Sequence, residues 1–198
     1  MEKNNKKLAK RIRIEDAGCK LFMEKGVSNT TVDEIVKLAD IAKGTFYLYF
    51  KDKNDLLSCI VIKRTVTLLE QSIEYAHKQN TDDFINEIIL ITDYIIEFFK
   101  QNTEMLTIVE KKLSWSIFRE KIEQEENSRL QILTDRWINH PHMSSYSPSQ
   151  SYHIMFMIIE LVGAMCYSSI IEKQPDTIEN IKQDLFLSSD ESCKNDFA

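Results

Sequence analysis

Apolar residues recur along this chain at spacings of three and four, with no sustained alternation, which predicts amphipathic helices and no strands. Between positions 8 and 25, Ile12, Ala17, Leu21 and Phe22, with Ile14 and Cys19 nearby, predict a first helix that Gly26 ends. Residues 1–7 are polar and read as a solvated tail, with phosphate contact by their lysines as the second reading. Thr31 and Glu34 have the spacing of a capping box, and Ile35, Val36, Leu38 and Ala39 give the short helix behind it one apolar face. Asp40 follows as a turn residue, since Asp tolerates a left-handed backbone better than most residues. A further helix over 42–50 then buries Ile41, Phe46 and Phe50.

Asp52 caps the next predicted helix, 53–79, whose stripe includes Leu56, Leu57, Ile60, Val61, Val66, Leu69 and Ile73. Asp82 or Asp83 opens a segment to about 101 that is apolar on most sides, and 103–112 is a shorter piece. The charged run after Trp115, Ile117 and Phe118 fits a helix face and a loop equally. Leu130, Leu133, Trp137 and Ile138 resume the stripe, and 140–149, with two prolines and four serines, reads as a loop. An apolar helix over 150–172 and a last helix over 176–187 precede a tail. The expected class is all-α.

Composition supports that class: in 198 residues there are four glycines and three prolines, and 43% of positions are hydrophobic, enough for a full core. The net charge of −6 does not by itself suggest a nucleic-acid partner, but its distribution does. Residues 1–53 carry 12 Lys and Arg against 8 Asp and Glu, whereas 54–198 carry 13 against 23. A basic head on an acidic body is the asymmetry expected when one end meets phosphate. Cys19, Cys59, Cys166 and Cys193 are scattered, and the charged start MEKNNKKLAKRIR resembles no secretory leader. Apolar runs at 88–99 and 154–167 fall short of the ~20 residues a bilayer span needs. The expectation is a cytoplasmic protein with reduced cysteines and no membrane partner.

Two short helices joined by a tight turn form a helix-turn-helix, in which one helix braces and the next enters the major groove. The segments TTVDEIVKLA, KGTFYLYF and KDKNDLL resemble the DNA-binding domain of the TetR family of transcriptional repressors across about the first quarter of the chain. Two departures stand out: Asp40 where the family's turn usually has Gly, and Asp33 where some relatives place a base-contacting Arg. Residue chemistry divides the labour on the recognition helix. Lys43 can donate to guanine and Thr45 offers a hydroxyl or methyl contact, while Gly44 removes a side chain where the groove is closest. Tyr47 and Tyr49 can donate to phosphates, Thr31 heads a helix N-terminus able to meet another, and Leu48 either touches a thymine methyl or closes the core. Lys53 resembles the family's phosphate-anchoring lysine.

The resemblance implies a helix-turn-helix head at 1–53 and a ligand-binding and dimerisation body at 54–198. It further implies a homodimer formed through the last two helices, a palindromic double-stranded operator, usually repression, and release by a small effector. Tyr94, Phe98, Trp115, Phe118 and Trp137 are the candidates to line an apolar effector pocket, or else plain core. No cofactor and no metal are expected. The competitors are a helical-bundle metalloenzyme and a protein-interaction module that does not bind DNA. Glu74-x-x-His77 is half of a di-iron pattern, but His140, His142 and His153 have no Glu three residues before them. No glycine-rich phosphate loop or Gly-x-Ser-x-Gly elbow is present, so an enzyme is not expected.

Overall fold

The computed structural model describes residues 2–80, 83–112 and 128–187, and every described element is helical. The chain divides into two compact units, Met1–Arg64 and Thr65–Ala198.

The first unit holds α1 (Glu2–Lys25), α2 (Val32–Leu38), α3 (Lys43–Phe46) and the opening turns of α4 (Lys53–Lys78). Helix α1 starts at Glu2, so the segment expected as a tail is helical: it contains neither Gly nor Pro, and its lysines are good helix formers. Gly26 closes it with φ +80 and an N–H to Phe22 O at 3.0 Å. Ile14, Phe22, Ile35, Phe46, Phe50, Leu56 and Leu57 make the core, whereas Ile12 and Leu38, expected inside, are substantially exposed. Gly18 lets α1 and α4 approach, for a Cβ there would sit 2.6 Å from the Leu56 side chain. Glu15, almost fully buried, accepts from Arg11 Nε at 2.9 Å and from Lys63 Nζ at 2.8 Å, tying the same two helices electrostatically. Asp52 caps α4 by accepting from the backbone N–H groups of Asn54 and Asp55.

The second unit contains the rest of α4, then α5 (Phe84–Gln101), α6 (Thr103–Lys112), α7 (Ser128–Ile138), α8 (Pro148–Cys166) and α9 (Ile178–Leu187). Asp83 caps α5 through Ile85 N–H, and a capping box of Ser147 and Gln150 opens α8, where Pro148 takes the first helical position. The stretch expected as a loop contains a 3₁₀ turn, Pro141–Met143. Beyond Cys166 the helix widens into a π-turn, Tyr167–Glu172, that Lys173 ends at φ +56. Leu68, Ile96, Phe99, Met105, Leu106, Val162, Cys166 and Ile178 form the body's core. Lys182 of α9 meets Glu97 of α5 at 3.0 Å, and Lys100 meets Glu179 at 3.0 Å, so polar pairs flank that core.

The π-turn also lengthens the apolar helix. Pro148–Glu172 is a continuous helical run of 25 residues with mean hydropathy 2.0 in its most apolar part, long and apolar enough to cross a membrane by length and composition. The helix expected over 150–172 is present and begins two residues earlier. Little of that apolar part is buried, 17%, and His153, Met157, Glu160, Leu161 and Ala164 stand exposed along one face.

Candidate nucleic-acid interface and body cavity

The head's interface is built from local signals. Thr31 takes an extended backbone and its Oγ1 accepts from Glu34 N–H at 3.3 Å, while Glu34 Oε2 accepts from Thr31 N–H at 2.9 Å. A hydrogen bond from the Lys25 ammonium, followed by those from Thr31, holds the Glu34 carboxyl down at about 2. At the other end of α2, Asp40 is left-handed at φ +52. Its N–H reaches Lys37 O at 3.3 Å and Ile41 N–H reaches Val36 O at 3.1 Å, a Schellman closure with Asp in the position glycine usually fills. Arg13 donates to Asp40 O at 3.0 Å and steadies the turn from α1.

The recognition helix is shorter than expected. One α-turn, Lys43–Phe46, gives way to a tighter turn in which Leu48 N–H bonds Thr45 O and Tyr49 N–H bonds Phe46 O. The interval from Phe46 to Phe50 suits either geometry, which is why periodicity alone read a helix to 50. Phe46 and Phe50 are fully buried, with ring centroids 5.8 Å apart. Lys43, Gly44, Tyr47 and Leu48 are exposed, and Thr45 and Tyr49 are half-buried. Leu48, at 79% exposed, does not close the core. Lys43 Nζ lies 2.7 Å from Asp33 Oδ1, and this hydrogen bond raises its pKa. Asp33, one of the two departures from the resembled pattern, thus tethers Lys43.

Lys53 is occupied. Its ammonium donates to Val27 O and Thr30 O, both at 2.8 Å, and to Ser28 O at 3.4 Å. Three donors on three carbonyls of the loop between α1 and α2 make it a brace, so a phosphate contact would have to be won from that loop. Sequence reasoning missed this, because a cluster of carbonyls leaves no mark on side-chain pattern.

The body holds a partly open cavity of about 340 Å³ lined by α4, α5, α6, α7 and α8. Leu69 and Ile73, then Ile88, Ile91 and Ile95, then Ile158 and Ile159 supply aliphatic walls, with Glu87, Arg136, His140 and Glu160 as its charged or titratable lining. Of the five aromatic candidates, Trp137 lines it, its ring tilted against that of Phe84 with centroids 5.6 Å apart and its Nε1–H donating to Ser151 O at 2.8 Å. Tyr94 and Phe98 do not: Tyr94 lies tilted against Tyr75 with ring centroids 5.3 Å apart, and Phe98 packs on Phe99 against the core cluster. Trp115 and Phe118 lie outside the described residues. The missed wall had a signal, the isoleucines at 88, 91 and 95 on one face of α5, which a search for aromatics passes over. Near the rim, His77 Nε2 sits 3.1 Å from Glu87 Oε1 and also meets Arg136. Among the described residues no three metal-ligating side chains gather.

Residues 14–59 match the profile of the bacterial regulatory proteins, tetR family. The chain is 33% identical over 100 residues to the HTH-type transcriptional regulator SAB2452 of Staphylococcus aureus RF122, and 36% identical over 103 residues to the regulator SAUSA300_2515 of strain USA300. Each alignment covers 50% of this chain and 53% of the relative, so the chain spans about half the length of the curated relatives it matches. Among solved structures, a TetR-family transcriptional regulator from Syntrophomonas wolfei aligns with TM-score 0.56 at 22% identity, covering 91% of this chain and 92% of that one. FadR from Bacillus subtilis, in complex with stearoyl-CoA, aligns with TM-score 0.57 at 18% identity, covering 89% and 95%. At those identities the likeness is one of fold.

Proposed function

We propose that the chain is a TetR-family DNA-binding transcriptional regulator whose head docks α3 and the following turn in the major groove, a reading supported by the match of residues 14–59 to that family's profile. The observation that carries this reading is the split along the recognition segment: Phe46 and Phe50 are buried, while Lys43, Tyr47 and Leu48 face outward from the same short stretch. Leu48 and Tyr47, 79% and 52% exposed, are thereby available to a partner surface. In this reading Lys43 and Thr45 address base edges, with Gly44 allowing close approach. Leu48 meets a thymine methyl, and Thr31, Tyr47 and Tyr49 hold phosphates.

One head offers few contacts, so the functional species is a homodimer on a palindromic operator, with half-sites about one helical turn, ~34 Å, apart. The exposed apolar face of α8, together with α9, is the surface for the second copy. The body cavity takes a small, largely apolar effector, in keeping with its isoleucine walls and with the bound stearoyl-CoA of the B. subtilis FadR. Release from DNA then follows only if the effector binds the non-DNA conformer more tightly. Repression and a cytoplasmic location belong to the same proposal.

Selection from a library of randomised duplexes tests it. The wild-type protein is expected to enrich a two-fold symmetric site. Lys43→Ala is expected to relax the preference at one symmetric pair of positions, with a loss of about 1–3 kcal/mol in discrimination there. Failure to enrich any site, with no shift of random duplex at low salt, would favour a head that binds protein instead.

A further inference from the structure

Helix α1 changes character along a single register. Counting back from Leu21 by alternating fours and threes, Ala17 and Ile14 are buried in the head's core, 5% and 0% exposed. The next two positions on that face are Lys10 and Lys7, both exposed, with exposed Lys6 beside them. An inward-facing helical stripe that turns from apolar to basic has run past the protein it packs on.

Where it runs is fixed by two contacts. Arg13 donates to Asp40 O at 3.0 Å, immediately before the recognition segment, and the Arg11 guanidinium lies 5.6 Å from the centroid of the Phe50 ring at that segment's end. Residues 11 and 13 therefore lie against the two ends of the recognition segment. The nine residues from Glu2 to Lys10 extend α1 by about 14 Å on the N-terminal side of those contacts, at 1.5 Å per residue. We infer that this overhang is a second nucleic-acid surface: Lys6, Lys7 and Lys10 grip backbone phosphates flanking the half-site, adding affinity without reading bases.

The inference rests on the DNA-binding reading of the head and extends its footprint. A lysine is suited to the task because a compact ammonium on a long stem tracks phosphate without the fixed geometry that base readout needs. Helical rather than coiled backbone sharpens the effect, since it pre-sets the spacing of the three charges at no ordering cost on binding.

The test replaces Lys6, Lys7 and Lys10 together with Gln in the full chain. All three are exposed, so thermal melting is expected to stay as in the wild type. The slope of log K against log salt is expected to become shallower by about 0.9 for each phosphate no longer neutralised, up to about 2.7 per bound head. The site enriched from randomised duplex should not change, and ethylation interference should vanish only at phosphates outside the half-site. A wild-type slope and interference pattern in the variant overturns the inference while leaving the DNA reading intact. An altered base preference overturns it also, since the surface would then be reading sequence. If the wild-type chain binds no duplex at low salt, the DNA reading falls and this inference falls with it.

Discussion

Leu161→Glu is expected to leave a folded body that no longer associates. Leu161 is 60% exposed and Met157, one turn earlier, 57%, on a helical run of 25 residues whose apolar part is mostly unburied. Covering a leucine with a partner is worth about 1.5–3 kcal/mol, and in a two-fold interface each substitution counts twice. Glutamate adds the cost of desolvating a carboxylate, several kcal/mol if it finds no cation. The proposed dimer should therefore weaken at least about a thousandfold, roughly 4 kcal/mol, and sedimentation equilibrium at micromolar protein should find monomer. Because the side chain faces solvent within one chain, the circular-dichroism spectrum should be retained. Operator affinity should fall in step, since two heads on one duplex reinforce each other only while joined. A variant that stays dimeric would place the second copy elsewhere.

The second large effect concerns Lys53→Met, which keeps the apolar stem and removes the ammonium. Val27, Ser28 and Thr30 carbonyls lose their donor together, and Thr30, with no exposed surface, is the one least able to replace it with water. A hydrogen bond from a charged group contributes about 1.5–3 kcal/mol, and the partial exposure of this site points to the lower end for the set, so the head should lose roughly 2–3 kcal/mol. Chemical denaturation followed by a probe in the head measures it. The salt dependence of DNA binding, taken below the variant's melting range, separates the two roles of this lysine. A pure brace leaves the slope unchanged, whereas a phosphate ligand lowers it by about 0.9 per head. Unaltered stability with a lowered slope would restore the anchor reading.

The head was largely legible because its structure is specified by neighbours in sequence. Thr31 with Glu34, Asp40 after Ala39, and Asp52 before α4 each announce a boundary by short-range backbone chemistry, and the structure has all three. What required the fold was anything made by distant residues. The Lys53 brace joins α4 to a loop 23 to 26 positions earlier. The tether between Lys43 and Asp33 crosses the turn and converts a departure from the family pattern into a local partner. In the body, the cavity wall comes from five helices, and its commonest residue is isoleucine, which a sequence reading consigns to core. Trp137 stood out because it also carries a donor that must be satisfied when buried, and Ser151 O satisfies it. Tyr94 and Phe98 share its aromatic character but fall on faces of α5 that meet other elements.

Cys166 sits at the centre of the body's core with no exposed surface, and burial pushes its thiol up to about 12. A thiolate is the nucleophile that attacks an alkylating reagent, so at neutral pH the native body hides this sulfur twice, by access and by ionisation. Its labelling, followed at that one peptide by mass spectrometry, therefore clocks the opening of the core rather than the chemistry of the reagent. Anything that fills the neighbouring cavity and holds α5 and α8 together should slow that clock in proportion to its occupancy, which makes the buried sulfur a native reporter for an effector whose identity need not be known in advance.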